Sequence, residues 1–331
     1  NGGNSDLKPD LLIIKNRDTS HWHQVFDSTR GADARISNNA SAAEATEASA
    51  LNTFDTDGFT LGDGQDNGSA ANTTNNDGAS YVAWQWKANG GSTSSNSDGN
   101  ITTTLQANTT AGFSFFTYTA NNSSTGTLGH GLGAVPHFFV VKSRSNGHNW
   151  KVYHHKVASD PETDHLILNE NGALVDEDTH WNDTAPTSSV ISVGNHTNTN
   201  GATSKTYVMY AWTEIQGYSK FGHYEGNGSA DGPFVYTGFK PAVIIIKNID
   251  ASGNWTMTDN KRETTNDGVD TVNFCDLVDG DTTGYALDKL SNGFKIRNTG
   301  SARNTDAQTH IYLAFAENPF VTSEGIPATA F

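Results

Sequence analysis

A chain of 331 residues with a net charge of −16, from 36 acidic against 20 basic side chains, repels phosphate backbones and anionic headgroups, so nucleic acid and membrane are excluded as partners. Hydrophobic residues reach only 34% while glycine takes 33 positions, a balance that suits short strands joined by polar loops better than helices. The single cysteine, Cys275, excludes an intrachain disulfide framework and reads as a small buried hydrophobe beside Phe274; no apolar run is long enough to span a bilayer.

The first expected strand is Leu11 to Lys15, whose continuous branched side chains imply cover on both faces. A turn at Asp18-Thr-Ser20 leads to a second strand, Trp22 to Asp27, and a third lies near Arg35 to Ser37. Ala40 to Leu51, rich in Ala and Glu, is the best helical segment. Phe59 to Gly62 is the fourth strand and Tyr81-Val-Ala-Trp-Gln-Trp-Lys87 a closing fifth, after which Ala88 to Gly99 reads as linker.

The pattern then returns twice. Strands are expected at Phe138 to Lys142, Trp150 to His155, His165 to Asn169, Val190 to Gly194 and Tyr207 to Thr213, and again at Val243 to Lys247, Trp255 to Asp259, Val272 to Cys275, Phe294 to Arg297 and Ile311 to Glu317. From each opening proline to the closing run (9 to 81, 136 to 207, 241 to 311) the intervals are 72, 71 and 70 residues. So constant a spacing marks one supersecondary unit copied, because drift in length would shift register and turn apolar side chains to water. In each copy a tryptophan is expected at the head of the second strand: Trp22, Trp150 and Trp255.

Gly112-Phe-Ser-Phe-Phe-Thr-Tyr118 and Gly217-Tyr-Ser-Lys-Phe-Gly-His-Tyr224 form a further, leading strand before copies two and three. Only Asn1 to Lys8 precedes the first proline, so the leading strand of copy one comes from upstream, from another chain or from another copy, since an unpaired edge invites pairing. The expected fold is all-β: three tandem β-sandwich-like units, jelly-roll or lectin-like, of about 100 residues each. Their bounds are 1–90, 91–216 including the linker, and 217–331 with a C-terminal tail.

Comparing copies filters the motifs that carry chemistry. Asp55-Thr-Asp-Gly58 has the alternating carboxylates of a calcium loop, but the matching turns, Thr187-Ser-Ser189 and Leu290-Ser-Asn-Gly293, lack them, so a tight turn is the shared role. Asp276, Asp279 and Asp281 read as a solvated acidic loop. His21 and His23 would share one side of a strand, yet copy two has His154-His155 and copy three Thr258-Asp259, which leaves surface histidines rather than a metal set. Asp27 with Arg30, and Asp259 with Arg262, read as a turn-closing salt bridge for which copy two offers His155 and Ala158. No nucleophile elbow, zinc-protease helix or phosphate loop is present in the sequence, and neither a catalytic residue nor a cofactor is assigned.

The aromatic residues point to binding. Trp84 and Trp86 share a strand face, Trp212 matches Trp86, and an exposed pair of indoles would stack on sugar rings, although packing between sheets is the commoner use. Trp181, with Asn182 beside it in the polar stretch Asp178-Thr-His-Trp-Asn-Asp183, is the stronger glycan-binding candidate.

The stretches Lys8-Pro-Asp-Leu-Leu-Ile-Ile-Lys-Asn-Arg17, Phe26-Asp-Ser-Thr-Arg-Gly31, Asp57-Gly-Phe-Thr-Leu-Gly62, Tyr81 to Lys87, Tyr218-Ser-Lys-Phe-Gly222 and Ala314-Phe-Ala-Glu-Asn-Pro-Phe320 together resemble a repeat family of unknown function. That family is common in virion and tail-fibre-like proteins of marine bacteriophages, including those of cyanobacteria. Ile249 departs from it where copies one and two have Arg17 and Arg144. The resemblance implies an extracellular, virion-surface or tail-fibre protein without enzymatic activity. On the reading of the aromatics it recognises host-surface glycans through multivalent weak sites, as a homo-oligomer among other virion proteins, a trimer suiting a fibre. The alternatives are a purely structural virion protein, as capsid decoration or fibre shaft, and a polysaccharide-degrading enzyme.

Overall fold

In a computed structural model, which describes residues 7–62 and 74–317, the chain is all-β and every strand pair within its sheets is antiparallel. The same strand order occurs in three large sheets. In the first, Ala45–Thr46, Gly31–Ile36, Gln24–Asp27, Leu11–Asn16 and Tyr81–Trp86 lie side by side. In the second, Val175–Asp176, Asp164–Ile167, Lys151–His154, Phe138–Ser143 and Thr206–Trp212 repeat that order, and Phe113–Thr119, Thr103–Asn108 and Ser94–Asn96 continue beyond the closing strand. The third runs from Thr282–Thr283 through Thr271–Phe274, Thr256–Asp259, Pro241–Asn248 and Thr309–Ala316 to Ser219–Glu225. A small sheet faces each: Leu51–Asp55 with Gly58–Leu61, Gly126–Gly129 with Val190–Val193, and Phe234–Tyr236 with Gly293–Ile296 and Leu287–Leu290.

Period-two alternation explains why the opening strands are apolar at every position. Leu12 and Ile14 turn toward their small sheet, and so do Phe139 and Val141, and Ile244 and Ile246. The opposite faces, with Leu11, Phe138, Val140, Trp212, Leu313 and Phe315, join one core shared by all three sheets. The sheets therefore pack around a common centre and are not strung along linkers. The expected linker confirms this: Ala88 N and Gly90 N donate to Asp10 Oδ2, and Ser94–Asn96 forms the outer strand of the second sheet.

Register corrects the alignment of the second strands. Ile14 faces Gln24, Val141 faces Lys151 and Ile246 faces Thr256, so His23, not Trp22, occupies the place of Trp150 and Trp255. These three side chains make the same contact around a closed ring. Trp150 Nε1 donates to Ser37 O at 2.8 Å, Trp255 Nε1 to Ile167 O at 2.9 Å, and His23 Nε2 lies 2.9 Å from Phe274 O. Each joins one unit to the unit before it, the first being joined to the third. Backbone bonds repeat the pattern: Glu44 N to Arg144 O, Leu174 N to Ile249 O and Asp281 N to Arg17 O. The lysine ending each apolar run is buried, and at two of these seams its ammonium crosses to the neighbouring unit, Lys142 Nζ to Ser41 O and Lys247 Nζ to Asn171 O. Burial lowers Lys15, Lys142 and Lys247 to about 8.

The expected helix from Ala40 to Leu51 is replaced by the short strand Ala45–Thr46 and turns. Its two glutamates are drawn apart: Glu44 pairs with Arg30 and Arg144, while Glu47 pairs with Arg35. Helix propensity is worth tenths of a kcal/mol per residue and yields to tertiary ion pairs.

The register also moves the second-copy partner of Asp27 and Asp259 from His155 to His154, which faces Phe138 as they face Leu11 and Val243. Burial, together with His155, His223 and His137, lowers His154 to about 3. Its folded value lies below the unfolded value near 6.5, so its contribution is complete above about pH 6.5 and is lost as pH falls toward 3. His154→Gln is therefore expected to gain about 2 kcal/mol relative to the parent between pH 7 and pH 5, measured by urea unfolding. An unchanged difference would show that burial does not lower the pKa of His154 in the folded chain.

Candidate functional site: an open sheet edge in the first unit

In the second and third sheets the closing strand is flanked on both sides. Phe113–Thr119 pairs with Thr206–Trp212, and Ser219–Glu225 with Thr309–Ala316. Gly112 and Gly217, at φ +62° and +77°, precede these leading strands in the left-handed region, where glycine carries no Cβ penalty. In the first sheet Tyr81–Trp86 pairs with Leu11–Asn16, and among the described residues no strand lies on its other side. The expectation of an incomplete first copy thus has a definite location.

Ladder geometry says which groups face that gap. Asp10 N donates to Trp86 O and Arg17 N to Ser80 O, so even-numbered residues of the strand turn their backbone groups toward the opening strand. The N–H and C=O of Tyr81, Ala83 and Gln85 point the other way. Burial agrees with this difference between units: five of the six residues of Tyr81–Trp86 are only partly buried, whereas six of the seven in Thr206–Trp212 are buried. Beside the edge lies a groove of about 300 Å³ lined by Trp84, Trp86, Tyr218, Asn260, Lys261 and Phe315. Asn260 directly follows Asp259, as His155 follows His154, and His155 Nε2 lies 2.8 Å from Phe221 O on the leading strand of the third unit. Asn260 therefore stands where a polar side chain meets a leading-strand carbonyl in the neighbouring interface.

The glycan candidates fare differently. Trp181 is 1% exposed: its indole donates to Asp164 O and its ring packs edge-on against Phe139 and Tyr153. Trp84 and Trp212 are also buried. Trp84 Nε1 lies 3.3 Å from Asp259 Oδ2, and Trp212 stacks on Phe113 with centroids 4.9 Å apart. These three rings offer no free face: Trp84 and Trp212, on closing strands, fill the shared core, and Trp181, in a turn, fills the core between the second sheet and its small sheet. Trp86 is partly buried, edge-on to Trp212 and Phe315, and borders the groove. Asn182, at φ +57°, remains partly accessible in a polar hollow with Asp178, Asp183 and Asn195. The exposed aromatics are instead Phe234 and Tyr236, at 47% and 64%, on one side of the outer strand Phe234–Tyr236. A period-two aromatic pair flanked by Gly232 and Gly238 is the sequence signal that would have found them.

Charged motifs resolve into structure. Both oxygens of Asp55 accept hydroxyl bonds, from Thr53 and Thr60 across the hairpin, and Asp57 Oδ1 accepts from Leu7 N. His21 and His23 both precede the strand that begins at Gln24 and so share no strand face, and His23 is fully buried and not at the surface, which lowers it to about 3. The acidic loop is partnered and not simply solvated: Asp276 Oδ1 accepts from Trp255 N, while Asp281 pairs with Arg17 and Arg262. Asp27 and Arg30 are fully buried, and Tyr210 of the second unit donates to Asp27 Oδ2. Cys275 is buried, which raises its thiol pKa. For a metal, the described residues bring together His165, Glu177 and His180, whose donor atoms lie within 4.8 Å of one another. Among the described residues no helix is long and apolar enough to cross a membrane.

No curated protein and no solved structure matches the chain. One family does, over residues 3–319, nearly the whole sequence: the chain belongs to the family described as Domain of unknown function (DUF7483).

Proposed function

We propose that this chain is a non-enzymatic structural module of a virion surface or fibre, completed by an extended strand from another virion protein or chain segment laid along Tyr81–Trp86. The open edge carries this reading. The second and third sheets have the position filled, and the first presents outward backbone groups at Ala83 and Gln85 beside the groove. Strand addition supplies main-chain hydrogen bonds for affinity and alternate side-chain contacts for choice of partner. Trp86 and Trp84 occupy the places of Trp212 and Tyr210, which face Phe113 and Phe115, so the occupant is an aromatic-rich strand of the leading type. The virion setting rests on the family resemblance described for the sequence.

A peptide carrying residues 112–119 is expected to bind the full chain, and Ala83→Pro to weaken that binding by at least about tenfold. Proline is tolerated at an edge position whose N–H faces outward, so the variant keeps its pairing with Leu11–Asn16. Calorimetric titration reads both; no binding, or equal binding by the variant, would overturn the proposal.

Glycan recognition is the second reading. Its support has moved from the buried tryptophans to Phe234 and Tyr236, exposed with Lys295 opposite Phe234. Aromatic faces of this kind stack on sugar rings. A glycan array probed with the parent and with Tyr236→Ala tests it, and binding that survives the substitution would remove this platform.

A further inference from the structure

We propose that His165, Glu177 and His180 of the second unit form a binding site for a divalent first-row transition metal, with zinc as the reference ion. The site is built from β-strand and loop positions that differ between units. Register places His165 level with Arg35, since Leu166 faces Val152 as Ile36 faces Val25. Glu177 is level with Glu47, their backbone N–H groups donating to Thr163 O and Asp33 O, which are likewise level. His180 is level with Ala50, their carbonyls accepting from Gly194 N and Gly62 N. In the first unit this niche holds a buried ion pair, Arg35 Nη2 to Glu47 Oε1 at 2.9 Å. The second unit keeps the carboxylate, replaces the guanidinium with one imidazole and the alanine methyl with another. A metal ion there would supply the positive charge that Arg35 supplies in the first unit.

Both imidazoles have a ring nitrogen open to it. His180 is fully buried, and neither of its ring nitrogens has a hydrogen-bond partner; His165 Nδ1 is likewise buried without one. Unpaired nitrogens on a buried ring are costly, and ligation of a metal through one of them would satisfy that nitrogen. His180 Nδ1 lies 3.5 Å from Glu177 Oε2, and the His165 and His180 rings are 4.2 Å apart, centroid to centroid. Two neutral imidazoles and a carboxylate are the ligand set that zinc and its first-row neighbours prefer over magnesium or calcium.

Outer contacts hold the set in place. Asn198 N donates to His196 Nδ1, which puts the ring proton on Nε2, 3.9 Å from Glu177 Oε1. Thr179 Oγ1 donates to the same oxygen. His196 and Thr179 thus orient the carboxylate, as outer partners do in protein metal sites. Lys151 Nζ lies 2.7 Å from His165 Nε2, and loading His165 at Nδ1 leaves the ring proton on Nε2, so this ammonium turns aside or gives up a proton when the ion enters. With both histidines buried and Glu177 partly exposed, the ion would act as a clasp between the strand Asp164–Ile167 and the loop after Val175–Asp176.

The test is Zn²⁺ titrated into the chelator-treated full chain, followed by calorimetry and thermal unfolding, with Co²⁺ as a spectroscopic probe. Expected are about one ion per chain, a raised unfolding temperature and a visible Co²⁺ spectrum of nitrogen and oxygen ligands. His180→Ala, which installs the residue already found at Ala50, and Glu177→Gln, at a half-exposed position, are each expected to weaken binding at least tenfold, or roughly 1.4 kcal/mol. Absence of Zn²⁺ binding by the parent, or binding unchanged in both folded variants, would overturn the proposal.

Discussion

Trp255→Ala is expected to destabilise the chain by about 4 kcal/mol, the usual cost of deleting a large buried aromatic side chain. Trp255 is fully buried in the shared core, and its indole holds Ile167 O of the second unit. The substitution removes packing and also strands a buried carbonyl, so the loss reaches beyond the third unit. Trp255→His is expected to cost less, because His23 occupies the same place in the first unit and makes the same ring-to-carbonyl contact. Urea unfolding measures both. A cost below about 1 kcal/mol for Trp255→Ala would mean that the seam between these units contributes little to stability.

Asp27→Ala is expected to cost about 3 kcal/mol, since it leaves the Arg30 guanidinium buried with only part of its compensation. Although burial opposes the charge, Asp27, Tyr210 and Glu44 together raise the pKa of Arg30 above its ordinary value. Asp27 Oδ1 also accepts from Thr29 N and Arg30 N, which closes the turn. The chain contains its own control. At the matching place in the second unit, His154 and Val157 replace the pair, and the ring opposite gives way to Leu313 of the third unit. Where the aspartate and arginine recur, as Asp259 and Arg262, a hydrogen-bonding ring returns with them as Trp84. Aspartate, arginine and ring therefore act as one device. Asp27→His combined with Arg30→Val and Tyr210→Leu is expected to be less destabilising than Asp27→Ala alone, because no charge remains buried without a partner.

The opening and closing strands were legible in the sequence because burial on two faces writes an unbroken apolar run, as in Leu11–Asn16 and Phe138–Ser143. The two-residue strands Ala45–Thr46, Val175–Asp176 and Thr282–Thr283 carry no period, and so they could not be read. Ala40 to Leu51 misled because local propensity has no knowledge of Arg30, Arg35 and Arg144 reaching for its glutamates. The tryptophans misled in a different way: Trp22 lies one residue from the conserved geometry, and only strand register reveals that His23 replaces an indole. The open edge was legible as a missing leading strand, since it rests on the copy count. The histidine cluster was not, because His165, Glu177 and His180 are spread over strands and loops, and their convergence depends on the sheet pairing that brings them together.

Amide hydrogen exchange at Ala83 and Gln85 tests most directly whether Tyr81–Trp86 is a sheet edge that receives a strand. In the chain alone these two amides are expected to exchange much faster than those of Met209 and Ala211, their counterparts in the flanked strand Thr206–Trp212. With the peptide of residues 112–119 bound, they are expected to slow by at least about tenfold while the even-numbered amides, already paired with Leu11–Asn16, change little. Equal protection of Ala83 and Met209 in the chain alone, or no slowing when the peptide is present, would contradict the account.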